Sequence, residues 1–388
     1  MVRILPETTG RESLSAYRER GGYRGLDRAR STTPEDVVAI IEAADLRGRG
    51  GAGFPTGQKW RMVMESASPT RYLVVNGAEG EPGSVKDREL MARAPHAVLE
   101  GILIAARALG VAEALFYVND EFRDAVAALE QAIVEAGDAG LLDGVTVRLV
   151  PETHVYIAGE ETALLNVLMG HAAQPWHKPP YPTQRGYEGQ PTVVNNVETL
   201  AVAALILREG AEWFRNHQPA LFSLSGDVKR PGVYELPLGT RLTELLALGG
   251  GAVDDTQMLA VLPGGYSMPP IFPQDFDVRL EAGALKALGS GLGASIIAVS
   301  SRRTLGAVAH DVLAFFARET CGKCPVCVKG TDLMAQELLT ARDGDLTQEE
   351  SEKLLATAMR YRHKGICSFL DTAAHFMEAT VPEVTARR

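Results

Sequence analysis

The residues best suited to chemistry cluster near the end of the chain. Cys321, Cys324 and Cys327 recur at every third position, Cys367 follows 40 residues later, and these four are all the cysteines in 388 residues. Spacing by three keeps sulfurs within reach of one centre, as the corners of a cubane or a tetrahedral ion require. A secreted disulfide scaffold would be shorter and would spread its cysteines. Structural zinc usually takes its ligands as two separated pairs. Three plus one resembles iron–sulfur ligation. A [4Fe–4S] cluster is the first reading; on spacing alone, structural zinc, disulfides and free thiols stay open. Lys323, Lys329, His363 and Lys364 flank the ligands, either to offset a cluster's negative charge or simply as solvated surface.

A second concentration of chemistry lies in glycine-rich and acidic turns. Gly48 to Gly57 holds five glycines in ten residues. Such a loop lets backbone N–H groups approach an anion closely, and a following helix N-terminus adds a favourable dipole. Arg49 and Lys59 supply positive charge. Gly48, Gly50 and Gly53 fit the letters of a dinucleotide fingerprint, but they follow a helical segment rather than a strand, so the match is weak. Glu79, Glu81, Glu160 and Glu161 sit in turns between apolar elements. There a carboxylate accepts hydrogen bonds from ribose hydroxyls, amides or a flavin edge, or caps a helix. Asn195 and Asn196 suit a heteroaromatic ring edge, or are ordinary turn residues. No arrangement of a catalytic nucleophile is evident, and the eight histidines form no metal-type cluster.

The elements that must position these residues alternate. Thr33-Pro34-Glu35-Asp36 is a helix start with Thr33 as its cap. Strand Tyr72–Asn76, helix Pro95–Leu109, strand Ala114–Val118, helix Glu121–Glu135 and strand Val145–Val150 follow in turn, which predicts a parallel α/β sheet. A helix is predicted over Ala163–Met169 and another over Leu200–Arg208. From about Gln218 the pattern becomes a small α+β module, with a hairpin about Lys229-Arg230-Pro231. After Arg303 the chain is mostly helical. With 49 acidic and 39 basic residues the net charge is −10, which argues against a nucleic-acid partner. The most apolar stretch, Gly101 to Val118, carries Arg107 and Glu113 and is expected to be a buried helix and strand rather than a membrane span. The 39 glycines exceed the usual share of ~7%.

Taken together, these segments resemble one family: the flavin-bearing NADH-dehydrogenase subunit of respiratory complex I and the diaphorase subunits of NAD-linked hydrogenase and formate dehydrogenase. The resemblance is carried by Leu46 to Trp60, by Gly80-Glu81-Pro82-Gly83 with Lys86-Asp87-Arg88, and by Tyr156 to Asn166. Lys178 to Pro182, Val194 to Thr199 and the run from Glu319 to Cys367 complete it. It implies an FMN- and NADH-binding α/β domain over 1–216. A ubiquitin-like β-grasp module of the soluble-ligand-binding kind would follow over 217–302, and a helical [4Fe–4S] domain over 303–388. Cys321, Cys324, Cys327 and Cys367 would hold the cluster. Gly48, Arg49, Gly50, Gly51 and Lys59 would hold the FMN phosphate and ring, and Asn76, Glu79, Gly159, Glu160, Asn195, Asn196 and Thr199 would complete the flavin site. Phe54, Glu81, Glu161, Lys178 and Tyr181 match positions that contact NADH, with Glu161 steering the nicotinamide. Ala78 stands where the family usually has an acidic residue, and Met62 where an aromatic helps stack the adenine. The implied activity is hydride transfer from NADH to FMN, then single-electron transfer through the cluster to a partner. The alternative is an electron-relay or scaffold subunit whose NADH site is lost or changed. Expected partners are a [2Fe–2S] thioredoxin-like subunit and a further iron–sulfur or catalytic subunit. The implied location is cytoplasmic, without direct membrane insertion, and peripheral on the membrane where a larger complex holds it.

Overall fold

The computed structural model describes residues 3–152, 155–293, 295–341 and 346–385. Four parallel strands form its first sheet: β1 (Tyr72–Gly77), β2 (Glu113–Asn119), β3 (Thr146–Glu152) and β4 (Thr192–Asn196), in the order β3-β2-β1-β4. Residues Ala114 to Val118 are apolar without a break because helices cover both faces of a parallel sheet. The stretch Gly101 to Val118 is split between the buried helix Pro95–Leu109 and β2, as its charges require. Strand β4 and the polar helix Lys86–Arg93 go beyond what local sequence pattern predicts. Both are short, and β4 is specified mainly by its pairing with β1, which sets Asn76 beside Asn196.

The strand order reverses at β1. The chain leaves β1 toward β2 on one side and returns to β4 on the other, so the carboxyl ends of β1 and β4 flank a crevice. In open α/β sheets ligands bind at such a switch point. Asn76, Glu79 and Asn196 lie there.

The second sheet contains β5 (Pro219–Gly226), β6 (Gly232–Pro237), β7 (Met258–Tyr266) and β8 (Ser295–Ser300) in the order β6-β5-β8-β7. Its central pair, β5 and β8, is parallel and its outer pairs are antiparallel. Phe222, Leu224, Leu245, Val261 and Ile296 belong to its own core. Beyond it, the helices Leu305–Arg318, Pro325–Glu337, Gln348–Tyr361 and Phe369–Thr385 share a core that includes Phe316, Met334, Leu354 and Met377.

The segment before the first sheet is fastened by the buried carboxylate of Glu100 and the half-buried one of Glu135. Glu100 accepts from the Tyr17 hydroxyl at 2.5 Å and from the Tyr23 and Leu26 amides at 2.9 Å. Glu135 accepts from Arg11 Nη2 at 2.7 Å and from the Leu14 amide at 3.1 Å. The Arg11 bond is the main reason its carboxyl is drawn from 4.5 down to about 2. A depressed carboxylate contributes stability above its unfolded value, and that contribution fades as pH falls through the folded one. Wild-type Tm is therefore expected to drop more steeply than that of Glu135→Gln between pH 4.5 and about 2. Parallel Tm–pH curves would contradict this.

Candidate functional site

An open cleft lies at the switch point. One wall is the glycine loop. The Gly48 amide donates to the Phe54 carbonyl at 3.0 Å, and the Thr56 amide donates to the Leu46 carbonyl at 2.8 Å. These two bonds close the loop at its base and present Gly50, Gly51 and Ala52 to the cleft. Gly50 comes so near β4 that a Cβ there would sit 3.3 Å from Asn196 Cβ, and Gly51 has φ +110°. Larger residues would push the loop away from the strand end or strain it.

Asn76, Glu79, Glu81, Gly159, Glu160 and Asn196 also line this cleft. Their side chains are already engaged. Glu160 caps the helix Glu161–Leu168, accepting from the Thr162 and Ala163 amides. Glu79 accepts from the Asp87 and Arg88 amides at 2.8 Å and caps the helix Lys86–Arg93 in the same way. Burial is the main cause that raises its carboxyl to about 7, with neighbouring Asp87 adding to it. Asn76 donates to the Gly159 carbonyl at 3.0 Å, tying β1 to the turn across the cleft. Asn196 accepts from the Glu198 amide and donates to Asp87 Oδ2 at 2.6 Å.

The remaining expected residues stand behind or beside these walls. Arg49 donates its amide to Thr199 Oγ1 at 2.9 Å, while its buried Nε has no partner among the described residues. Burial lowers the Arg49 pKa, and Glu198 opposes that shift. An orphaned guanidinium nitrogen in a glycine-rich loop suits an anion such as a flavin phosphate. Asn195 accepts from Trp60 Nε1 at 2.7 Å. Lys178 Nζ bridges Glu160 and Glu161 at 2.8 and 2.9 Å, and Lys59 Nζ reaches Glu161 from the other side at 3.1 Å. The two lysines hold the Glu161 carboxyl below its usual range although burial raises it. Phe54 and Tyr181 keep 40% and 51% of their surface exposed, and Lys59 Nζ lies 5.8 Å from the centroid of the Phe54 ring. Met62 is 43% exposed, whereas Ala78 is buried in an apolar cluster with Val74, Leu115 and Tyr117.

Cys321, Cys324, Cys327 and Cys367 surround a separate small cavity and form no disulfide. Ile157, Phe369 and Leu370 help complete its lining. Among the described residues no three His, Cys, Asp or Glu side chains converge closely enough to hold one metal ion. A ring of thiols around an apolar cavity fits a multi-atom cluster better than a single tetrahedral ion. Burial, and then the other cysteines, push the Cys327 thiol up to about 12.

Two groups at the site receive no role from the sequence reading, although Tyr156, Lys86, Asp87 and Glu198 lie within motifs that carry the resemblance. Tyr156, Ser267, Met268 and Phe316 form the far wall of the cleft. No local pattern marks them, because the second and third modules contribute three of the four. The other group is the buried trio of Lys86, Asp87 and Glu198, with Lys86 Nζ 2.7 Å from Asp87 and 2.8 Å from Glu198.

Comparison with known proteins agrees with this geometry. Residues 41–204 match the Nuo51 FMN-binding domain, residues 307–385 the NADH-ubiquinone oxidoreductase-F iron-sulfur binding region, and residues 221–270 the SLBB domain. The chain is 38% identical to one of the F subunits of NADH-quinone oxidoreductase in Rhizobium meliloti (strain 1021), over 97% of this chain and 95% of that protein. It is also 38% identical to the F subunit of the Streptomyces coelicolor NADH-quinone oxidoreductase, over 93% of this chain and 84% of that one. Among solved structures it resembles a chain of the NAD+-reducing [NiFe]-hydrogenase in the H2-reduced state. That match has a TM-score of 0.86 at 32% identity and covers 97% of this chain and 67% of that one. With its cleft at the switch point, its ring of four thiols and this likeness along nearly its whole length, the chain belongs to the family of NADH-quinone oxidoreductase F subunits.

Proposed function

We infer that this chain is the NADH-oxidising subunit of a multi-subunit oxidoreductase, carrying FMN in the switch-point cleft and a [4Fe–4S] cluster among its four cysteines. One observation carries the reading: Ile157, Cys367 and Phe369 line both cavities. A two-electron site and a one-electron site thus share a wall. When bound, FMN accepts the two electrons of a nicotinamide as hydride and releases them one at a time.

The chain's own residues bind, orient and insulate. The glycine loop and Arg49 hold phosphate, and Asn76, Asn196 and the Gly159 turn frame the ring. Exposed Phe54 and Tyr181 offer stacking faces to a dinucleotide. Lys59, Lys178, Glu160 and Glu161 form a chain of alternating charge at the rim, which orders Glu161 for contact with a nicotinamide. The proposed domain limits are 1–216, 217–302 and 303–388, with the middle sheet read as a β-grasp and the last module as a helical bundle.

A cluster among the four cysteines would supply one-electron transfer onward to a partner subunit. A [2Fe–2S] thioredoxin-like subunit and a further iron–sulfur or catalytic subunit are the proposed neighbours, in a cytoplasmic complex peripheral to the membrane. No helix among the described residues is long and apolar enough to cross a membrane.

The test is the absorption spectrum of the purified protein, with iron and acid-labile sulfide analysis, before and after anaerobic NADH. A flavin band that bleaches on addition of NADH is expected; a flavin that stays oxidised would support the relay alternative. Glu161→Gln is expected to lower NADH–ferricyanide turnover by about tenfold or more while FMN stays bound. Unchanged turnover would remove Glu161 from the role of steering the nicotinamide.

A further inference from the structure

We propose that Glu81 is a positioning residue that clamps the three modules together at the wall between the flavin cleft and the cluster cavity, rather than a contact for NADH.

The inference rests on the function proposed above and begins with hydrogen-bond capacity. An ionised carboxylate offers about four acceptor positions. Glu81 Oε1 accepts the backbone amides of Tyr266 and Ser267 at 2.7 and 3.1 Å. Oε2 accepts the Ser267 hydroxyl at 2.5 Å and the Tyr156 hydroxyl at 2.9 Å. All four positions are taken by protein donors, so none is left for a ribose or a carboxamide.

Those donors come from two different parts of the chain. Tyr266 and Ser267 lie at the end of β7, in the second module. Tyr156 opens the turn that leads to Gly159, and its ring continues the connection. It meets Phe315 edge-on at 4.9 Å and Phe369 at 5.9 Å, both in the helical module. Phe369 lines the cluster cavity two residues after Cys367. One carboxylate on the flavin-side turn therefore reaches both neighbouring modules, directly to the second and through one tyrosine ring to the third.

The surrounding contacts are built for close approach. Gly265 has φ +64°, and a Cβ there would sit 2.5 Å from Glu81 Oε1 and 2.7 Å from Ser295 Oγ. Ser295 donates to the Pro82 carbonyl at 2.8 Å, and the Val85 amide donates to Ser223 Oγ at 2.9 Å. The acidic turn is thus gripped from the second sheet along its length. Its position sets how the wall shared by Ile157, Cys367 and Phe369 stands relative to the flavin side.

The test uses the full-length holoprotein under anaerobic rapid mixing with NADH, following flavin bleaching by absorbance and cluster reduction by freeze-quench paramagnetic resonance. Hydrogen exchange at the Tyr266 and Ser267 amides is measured separately, with and without cofactors. Gly265→Ala wedges the clamp from the second module. It is expected to slow cluster reduction by about tenfold relative to flavin bleaching, to leave the half-saturating NADH concentration in place, and to speed exchange of both amides. Glu81→Ala should reproduce the slow cluster step and the faster exchange. Glu81→Gln should restore much of both, because it keeps one acceptor oxygen and the two hydroxyls can rotate to accept from its amide.

If Gly265→Ala does not accumulate as folded holoprotein, Ser267→Ala removes one hydroxyl donor without adding volume and should act in the same direction. Cluster reduction that keeps pace with flavin bleaching in all variants would overturn the proposal. So would a Glu81→Ala protein that only weakens NADH binding. Failure of the wild-type flavin to bleach would instead refute the function on which the clamp depends.

Discussion

Replacement of Cys327 by serine is expected to abolish the cluster and to uncouple the helical module, while FMN stays in place. Cys327 is the one buried member of the four thiols and lies in the first turn of the helix Pro325–Glu337. Its carbonyl accepts from the Thr331 hydroxyl at 3.0 Å, so the helix fixes the direction of its side chain. Cys321, Cys324 and Cys367 are less buried and sit on loops or at element ends. Serine in place of Cys327 removes the sulfur that the rigid element supplies and leaves an alcohol, a far poorer ligand for iron.

Thiols ringed around one cavity stabilise the helical module chiefly through the group they bind. Metal binding to such sites is folding free energy, on the order of 10 kcal/mol for structural zinc. Near-complete loss of iron and acid-labile sulfide is expected, together with loss of the cluster's resonance signal and early unfolding of residues 303–388 in proteolysis. NADH–ferricyanide turnover should largely remain, because Gly50, Asn76 and Asn196 line the other cavity, on the sheet side of the shared wall. A Cys327→Ser protein that keeps a full complement of iron would sink the assignment of this cysteine as a ligand.

How much of this can be read from the sequence follows from how local each interaction is. Three of the proposed cluster ligands lie within a few residues of chain, so their spacing points to one shared centre but leaves its nature open; Cys367 joins them as the only other cysteine and through the family resemblance. The glycine loop is less legible, since its letters fit a dinucleotide fingerprint only weakly and its place against β4 comes from tertiary folding. The roles of the acidic turns are less legible still. In sequence, Glu79 and Glu160 suit cofactor contacts and helix caps alike, and both do cap helices. Which helix Glu79 caps depends on recognising Lys86–Arg93, a polar segment with no clear apolar face.

Strand β4 is hidden because five residues carry too little pattern to distinguish a strand from a loop, and its partner β1 lies about 120 residues earlier in the chain. The far wall of the cleft is invisible for the same reason. Ser267 and Phe316 reach it through tertiary folding that no local period encodes.

Lys86→Met is expected to be the most destabilising single change near the flavin cleft. Lys86 Nζ is buried between Asp87 Oδ1 at 2.7 Å and Glu198 Oε2 at 2.8 Å. Burial alone would lower its pKa, but Asp87 and Glu198 outweigh that and hold it charged above its usual value. The remaining acceptor atoms of both carboxylates organise the site. Asp87 Oδ2 receives the Asn196 amide at 2.6 Å, at the end of β4. Glu198 Oε1 receives the Leu221 amide at 3.0 Å, at the start of the second sheet. Removal of the lysine leaves two carboxylates buried with no cation between them. Breaking a buried pair by deleting one partner typically costs about 3–5 kcal/mol. Both carboxylates must then take up protons or draw in water, and Asn196 and the Leu221 connection shift with them. A fall in Tm, a lower midpoint in urea and weaker FMN retention should appear together. A second substitution separates charge from volume. Glu198→Gln in the Lys86→Met background removes one of the stranded charges, so the double variant should be more stable than Lys86→Met alone. Additive losses in this double-mutant cycle would show that Lys86 acts by packing, not as the counter-ion of the pair.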